Sequence, residues 1–193
     1  MELIKSNTYQ NLAKAFAGET MARTRYEFIE YGARKEGYKT LAEMIDTVAY
    51  QEFNHARMLY TFIQKASDDT IKNIEVCSGY PFKQKWNLTD NLLFAAEDEE
   101  SEADEIYPTF AKVAEDEGFK DIALVFRNLA SVESSHRALF IQLHDQLKNG
   151  TLYEKEQAVT WRCADCGYEA TATSPWEECP LCKAKKGAVL LQI

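Results

Sequence analysis

The sequence lacks the features that mark secreted, membrane-spanning and nucleic-acid-binding proteins. No apolar run approaches the roughly 20 residues that a helix needs to cross a bilayer, and the first six residues lack the apolar core of a signal peptide. Acidic residues outnumber basic ones by 31 to 22, which gives a formal net charge of −9. A chain with this charge offers no electrostatic attraction to nucleic acid or to an anionic membrane. We therefore expect a cytoplasmic protein that binds neither.

Histidine is also scarce, with three residues in the chain, but two of them occur in the same short motif. Glu52-x-x-His55 and Glu133-x-x-His136 each place a carboxylate and an imidazole one turn apart on one face of a helix. Apolar residues at steps of three and four on both sides indicate that this face is buried. They are Leu41, Ile45, Val48, Leu59 and Phe62 for the first motif, and Ile122, Phe126, Leu129, Phe140, Leu143 and Leu147 for the second. One such motif is common on helix surfaces, but two in the same core register predict a shared buried site.

Three more glutamates fall on the buried faces of two other predicted helices. Glu19 occupies a core position of the first helix. In the third helix, Glu99 and Glu102 belong to the apolar stripe, whereas Glu97, Glu100 and Asp104 point elsewhere. That stripe comprises Leu92, Ala95, Glu99, Glu102, Ile106, Phe110 and Val113. Because Pro108 conflicts with an unbroken helix, we predict a kink or local opening there.

The periodicity predicts an all-α four-helix bundle. The helices should cover about residues 6–31, 38–65, 88–117 and 121–147, and the first should end near Gly32 and Gly37. Residues 67–87 show no clean period, and they are numerous enough to run the length of the bundle as a crossover. Cys77 lies in this crossover, and we interpret it as an unpaired structural or incidental thiol.

The acidic and histidine side chains of the four buried faces predict a metal site. They are Glu19, Glu52, His55, Glu99, Glu102, Glu133 and His136. Carboxylates a few ångströms apart resist ionisation unless cations lie among them. A glutamate from each of two helices and a Glu-x-x-His from each of the other two is the ligand pattern of dinuclear carboxylate bundles. These ligands suit iron or manganese. Tyr26 and Tyr107 could either hydrogen-bond a ligand carboxylate or serve as aromatic packing.

The other four cysteines form a second predicted metal site near the end of the chain. They make two Cys-x-x-Cys pairs, Cys163 with Cys166 and Cys179 with Cys182. In a cytosolic protein this spacing predicts a tetrahedral site for zinc or for a single iron. Residues 161–193, which follow a linker at 151–160, are too few to fold on an apolar core alone and need such a metal.

Taken together, these motifs resemble the rubrerythrin family over almost the whole chain. The resemblance rests on Ala17-Gly18-Glu19 with Arg23 and Tyr26, Glu52-x-x-His55, Glu99-x-x-Glu102 leading to Tyr107-Pro108, Glu133-x-x-His136 and the four cysteines. It implies a ferritin-like bundle at 1–150 with two iron ions in a non-haem, oxo-bridged site. A rubredoxin-like domain at 161–193 would hold one iron on four cysteines, which zinc can replace in recombinant material. Asp98 departs from the family, which usually has Gly there.

The resemblance also implies an activity and roles for the site residues. Rubrerythrins act as peroxidases that reduce hydrogen peroxide to water. Their electrons come from NAD(P)H through rubredoxin or an NAD(P)H-dependent rubredoxin reductase. Glu19, Glu52, Glu99, Glu102, Glu133 and His136 resemble the iron ligands. His55 would bind one iron in the reduced state, and Glu102 would take its place in the oxidised state. Tyr26 and Tyr107 would contact the ligands without binding the metal. The family also implies a homodimer in which the C-terminal domain approaches the neighbouring subunit's di-iron site.

Two other functions remain open from the sequence. The bundle could handle iron as a ferroxidase, as ferritins do, although iron storage requires no fused electron-transfer domain. Alternatively, the cysteines could hold a structural zinc, and the protein could act through interactions alone. Ferric iron on four thiolates is red and zinc is colourless, so a visible spectrum distinguishes these cases.

Overall fold

The computed structural model describes residues 2–71, 73–77 and 86–193, and it contains the four predicted helical stretches. Helix α1 spans Asn7–Lys35, α2 Lys39–Gln64, α3 Leu88–Ser101, α4 Tyr107–Asp116 and α5 Lys120–Lys148. A π-helical segment, Glu102–Ile106, joins α3 to α4 into the third long helix of the bundle. Strands β1, Val159–Arg162, and β2, Glu169–Ala172, pair antiparallel near the C-terminus. Short 3-10 helices cover Leu3–Lys5 and Lys186–Ala188.

The helices pair as α1 with α2, and as α3 and α4 with α5. Two apolar clusters fill the space between the pairs. One includes Tyr26, Ile45, Leu92 and Phe140; the other includes Leu12, Leu59, Tyr107, Phe126 and Leu129. The predicted metal ligands lie between the two clusters along the helices, so apolar packing encloses this polar layer on both sides. None of the described helices is both long and apolar enough to span a membrane.

Helix α1 continues past its predicted end because Gly32 lies inside it. A Cβ at this position would come within 2.0 Å of the Trp86 ring. The glycine therefore makes room for Trp86 and does not end the helix. The helix ends just before Gly37, whose φ of +90° is typical of a helix-terminating glycine.

The local opening predicted at Pro108 is present as the π segment immediately before it. A π turn adds one residue to the helix, and Pro108, which has no N–H to donate, falls in the first turn of α4. The added residue rotates the buried face of the helix that follows. As a result Tyr107 is 1% exposed and Ile106 is 37% exposed. The prediction that Ile106 faces the core is wrong, because Tyr107 takes that place.

The small C-terminal domain packs against the start of α2 in its own chain. The Thr40 hydroxyl donates to the backbone carbonyl of Val189 at 2.6 Å and to that of Gly187 at 3.2 Å. A Cβ at Gly187 would lie 1.7 Å from the carbonyl oxygen of Gly37. Only glycine therefore permits this close approach of the two backbones.

The segment between the bundle and the small domain is also held in place. Leu152 is buried within the first apolar cluster of the bundle, and the Tyr153 ring stacks on Tyr38 with centroids 6.5 Å apart. Lys39 on α2 forms an ion pair with Asp165 in the first cysteine loop. The start of the predicted linker at 151–160 thus lies against the bundle in this structure, whereas its last two residues, Val159 and Thr160, belong to strand β1.

Candidate metal centres

Four helices contribute side chains to one polar layer of the bundle. Glu19 comes from α1, Glu52 and His55 from α2, Glu99 from α3, and Glu133 and His136 from α5. The four glutamates are 0–1% exposed, as their core-phase positions predict. Burial of so many carboxylates is unfavourable without cations or hydrogen-bond donors.

Six of the seven predicted bundle ligands fall into two groups that could each hold a metal ion. One group is Glu19, Glu52, His55 and Glu133, and the other is Glu52, Glu99, Glu133 and His136. Within each group, one donor atom per residue lies within 4.8 Å of all the others. Glu52 and Glu133 belong to both groups. Because a carboxylate has two oxygens, these two residues can bridge two ions in the manner of dinuclear carboxylate bundles.

Unsatisfied polar atoms indicate that the layer suits a pair of metal ions. Buried oxygens of Glu19, Glu52, Glu99 and Glu133 lack a hydrogen-bond partner within the described part of the chain, as does Nδ1 of His136. This nitrogen lies 2.8 Å from Glu133 Oε2 and 2.9 Å from Glu52 Oε1, but without hydrogen-bonding geometry. A cation among these atoms would satisfy all of them at once. The residues therefore fit the metal pair that the sequence predicts.

With only protein groups around them, these side chains have strongly shifted pKa values. Burial raises the pKa of Glu99 to about 8 and that of Glu19 well above its usual range. Burial alone would lower the pKa of both histidines, but close contacts with glutamates outweigh it and raise the pKa of His55 to about 10 and that of His136 to about 12. Glu52 shows the opposite balance: contacts with both histidines overcome burial and lower its pKa to about 2. The layer therefore holds protons that metal binding would displace.

Two buried tyrosines donate hydrogen bonds to glutamates of the layer. Tyr26 Oη donates to Glu99 Oε1 at 2.5 Å, and Tyr107 Oη donates to Glu19 Oε1. The π segment makes the second contact possible because it turns Tyr107 into the core. Hydrogen bonds of this kind fix the orientation of ligand carboxylates. Both tyrosines also pack against phenylalanines, so the two roles left open by the sequence coexist.

One contact with the layer has no counterpart among the sequence predictions. Gln51 Oε1 lies 2.8 Å from His136 Nε2, so the amide can accept a hydrogen bond from the ring nitrogen that faces away from the glutamates. Gln51 lies beside the apolar stripe of α2, and no periodicity distinguishes it from an ordinary surface residue. Only the packing of α2 near α5 reveals its role.

Glu102 lies outside both groups and borders a cavity of about 460 Å³. The lining of this cavity also includes Gly18, Tyr107 and Cys77. Because Tyr107 donates to Glu19, the cavity reaches the wall of the metal layer. Cys77, predicted as an unpaired thiol, is free and exposed on the lining. A small molecule in this cavity would lie against Glu102 and Tyr107.

The four cysteines of the C-terminal domain form the second site. Their Sγ atoms lie within 4.8 Å of one another, with 3.7 Å between Cys163 and Cys182 and 3.6 Å between Cys166 and Cys179. A tetrahedral site with metal–sulfur bonds of about 2.3 Å requires sulfur separations of about 3.8 Å. The thiolates are therefore placed to bind one ion.

Comparisons with known proteins agree with both sites. The family described as Rubrerythrin matches residues 10–160, and the family described as Rubrerythrin, rubredoxin-like domain, matches residues 161–188. A rubrerythrin from Clostridium perfringens is 36% identical, with 92% of this chain and 90% of that protein aligned. A rubrerythrin from Nitratidesulfovibrio vulgaris is 34% identical, with 94% and 92% aligned. The chain belongs to the rubrerythrin family.

Solved structures place this rubrerythrin in the ferritin-like fold. The structure of mixed-valence nigerythrin is 25% identical and superposes with a TM-score of 0.63 over 96% of this chain and 86% of the other. A bacterioferritin from Mycobacterium tuberculosis, at 15% identity, shares the fold with a TM-score of 0.63 over 74% of this chain and 87% of its own. The predicted fold class, a ferritin-like bundle with a rubredoxin-like domain, is confirmed. The ligand groups fit the family's di-iron site and single-iron site, and the protein is an iron-dependent oxidoreductase.

The structure also shows how this rubrerythrin accommodates the Asp98 carboxylate next to Glu99. Asp98 Oδ2 accepts a hydrogen bond from Arg25 Nη1 at 2.8 Å, and Arg25 is 8% exposed. The extra carboxylate beside Glu99 is thus balanced by a largely buried cation.

Proposed function

We propose that this rubrerythrin is a non-haem di-iron peroxidase that reduces hydrogen peroxide to water and so protects against oxidative stress. The observation that supports this most directly is the pair of ligand groups that share Glu52 and Glu133 beside an open cavity. The chemistry that two bound iron ions supply is one electron each for cleavage of the peroxide O–O bond. The surrounding glutamates balance the accompanying change of charge.

We assign the site residues as the family resemblance implies. The metal ligands are Glu19, Glu52, His55, Glu99, Glu102, Glu133 and His136, together with Cys163, Cys166, Cys179 and Cys182. In the structure His55 belongs to a ligand group, while Glu102 lies outside both groups on the cavity wall. This arrangement supports an exchange in which Glu102 replaces His55 on oxidation. Tyr26 and Tyr107 orient the glutamates that they contact.

We propose that electrons pass from NAD(P)H through rubredoxin or a rubredoxin reductase to the cysteine-bound iron at 161–193, and then to the bundle at 1–150. Within one chain this last step is long. Thr40, which contacts the small domain, lies about 18 Å along the helix axis from Glu52. The single chain therefore separates its two metal sites, and a shorter route needs a second chain.

An aromatic surface supports association of this rubrerythrin into a homodimer. Phe28 and Tyr31 on α1 and Tyr50 on α2 are 61–67% exposed, and Phe53 stacks against Tyr50 with centroids 6.2 Å apart. The Arg23 guanidinium lies 4.7 Å from the centre of the Phe53 ring. Exposed aromatic residues of this kind are typical of protein interfaces. In such a dimer, the C-terminal domain of one subunit would serve the bundle of the other.

Stopped-flow mixing of the reduced, iron-loaded protein with hydrogen peroxide tests the proposed activity. We expect the di-iron site to oxidise faster with peroxide than with dioxygen at equal concentration, followed by oxidation of the cysteine-bound iron. Equal rates would point instead to ferroxidase chemistry. Replacing His55 by Gln should slow the peroxide reaction while the helical circular dichroism stays unchanged.

We place the protein in the cytoplasm. Its four metal-site cysteines are free thiols in the structure, and a reducing compartment keeps such thiols available for metal.

A further inference from the structure

The two histidines of the metal layer are held differently. Both ring nitrogens of His136 have close polar neighbours. Nδ1 faces the oxygens of Glu52 and Glu133, and Nε2 lies at hydrogen-bonding distance, 2.8 Å, from Gln51 Oε1. In His55 only Nδ1 has such a neighbour, Glu52 Oε2 at 2.9 Å. Its Nε2 makes no hydrogen bond with any residue that the structure describes. The His55 side chain is also more exposed, at 13% against 6%.

The amide of Gln51 determines which tautomer His136 adopts. Its oxygen can only accept a hydrogen bond, so the ring must carry a proton on Nε2. The lone pair of a neutral ring then lies on Nδ1, which points at the glutamate oxygens. This is the orientation that a metal ligand requires, and a partner on the far nitrogen also holds the plane of the ring.

The electrically neutral amide has a further consequence. A carboxylate in the same place would also accept a hydrogen bond from Nε2, but it would add charge to a layer already crowded with carboxylates, whereas the amide fixes the ring without adding charge. Helix α2 thus supplies Glu52 to both ligand groups, and through Gln51 it also supports the histidine of α5.

We propose that Gln51 is a positioning residue that makes His136 a fixed metal ligand, so that the two metal positions of the bundle are held unequally. The position that uses His136 is the tighter one, and the position that uses His55 loses its ion first. The proposal rests on the ligand set assigned above but not on the peroxidase activity.

Zinc binding to the full-length protein tests this proposal without redox chemistry. Gln51→Leu removes the acceptor at similar side-chain length, and Gln51→Glu restores an oxygen at the same place. Asn54→Leu is the matched control, because the hydrogen bonds that the structure shows for the Asn54 side chain stay within α2: Nδ2 donates to the Tyr50 carbonyl and Oδ1 accepts from Arg57 Nη2 at 3.4 Å. Competition with a chelator measures the affinity of each zinc, and proton NMR of the zinc-loaded protein detects the Nε2–H of His136.

For the wild type and for Asn54→Leu we expect two bundle zincs of different affinity and a slowly exchanging Nε2–H signal. Gln51→Leu should weaken the tighter bundle zinc about 10- to 100-fold, leave the other unchanged and abolish the signal, whereas Gln51→Glu should recover most of the affinity. If the wild type binds both zincs and Gln51→Leu retains both affinities, or weakens both equally, the inference is overturned and the ligand set stands. If the wild type binds no pair of zinc ions in the bundle, both the inference about Gln51 and the assigned ligand set are overturned.

Discussion

The helical bundle and the small C-terminal domain both carry metal ligands, but they depend on metal in opposite ways. In the bundle, two apolar clusters enclose the ligand layer and secure the fold, while the layer itself contributes unsatisfied buried oxygens. In the small domain the few fully buried side chains include Trp161 and Val189 together with two of the cysteines themselves. The bundle therefore creates its metal site by folding, whereas the small domain needs its metal in order to fold.

The largest effect that this comparison predicts is loss of the small domain on replacement of one buried cysteine. Cys179→Ser removes a thiolate from a domain of about 30 residues, and structural metal binding contributes about 10 kcal/mol or more to such folds. We expect residues 161–193 to unfold while the bundle keeps its helical circular dichroism. Exposure of the buried Trp161 would shift its fluorescence to the red. Cys77→Ser is the control, since Cys77 is exposed in the crossover and outside both metal sites. A folded small domain in Cys179→Ser would refute the comparison.

The sequence predicts much of this molecule because its two metal sites obey local rules. The spacing of Glu52, His55, Glu133 and His136 within apolar stripes places them on buried helix faces, and the structure brings these faces together. The cysteine pairs are equally informative, because thiolates at this spacing have few uses other than metal binding. Periodicity and spacing are local properties, so one sequence contains them.

Features that depend on packing between elements cannot be predicted from periodicity and spacing. Pro108 signals a disturbance, but it does not reveal that a π turn before it exchanges Ile106 for Tyr107 in the core. Gln51 looks like any surface residue of α2 until α5 is in place. The docking of the small domain depends on Gly187, and its need for glycine arises only from the backbone of another element, at Gly37.

A smaller effect concerns the pH dependence of the bundle after metal removal. The pKa of Glu99 is raised to about 8 and those of the two histidines to about 10 and 12. All three groups therefore bind more protons in the folded than in the unfolded chain as pH rises from 6 to 9, and stability must fall over this range. Glu52 has the opposite sign, but its pKa of about 2 affects stability only in acid.

Thermal unfolding of chelator-treated protein, followed by helical circular dichroism, measures this dependence. We expect a melting temperature about 5 °C or more lower at pH 9 than at pH 6. The iron-loaded protein is the control, and its stability should rise over the same range because metal binding releases the protons. A chelated protein equally stable at both pH values would show that the folded layer binds no more protons than the unfolded chain over this range.

The smallest effect lies at the contact where the two regions meet. Thr40→Val keeps the shape of the side chain but removes the hydroxyl that donates to the carbonyls of Val189 and Gly187, at a cost of about 1 kcal/mol. Thr47→Val is the matched control, because the exposed Thr47 hydroxyl donates only to the Glu43 carbonyl of its own helix. Hydrogen exchange of the metal-loaded chain should be faster around residues 187–189 in Thr40→Val alone, with the bundle unchanged. Identical exchange in both variants would mean that backbone packing at Gly187, and not this hydroxyl, holds the small domain in place.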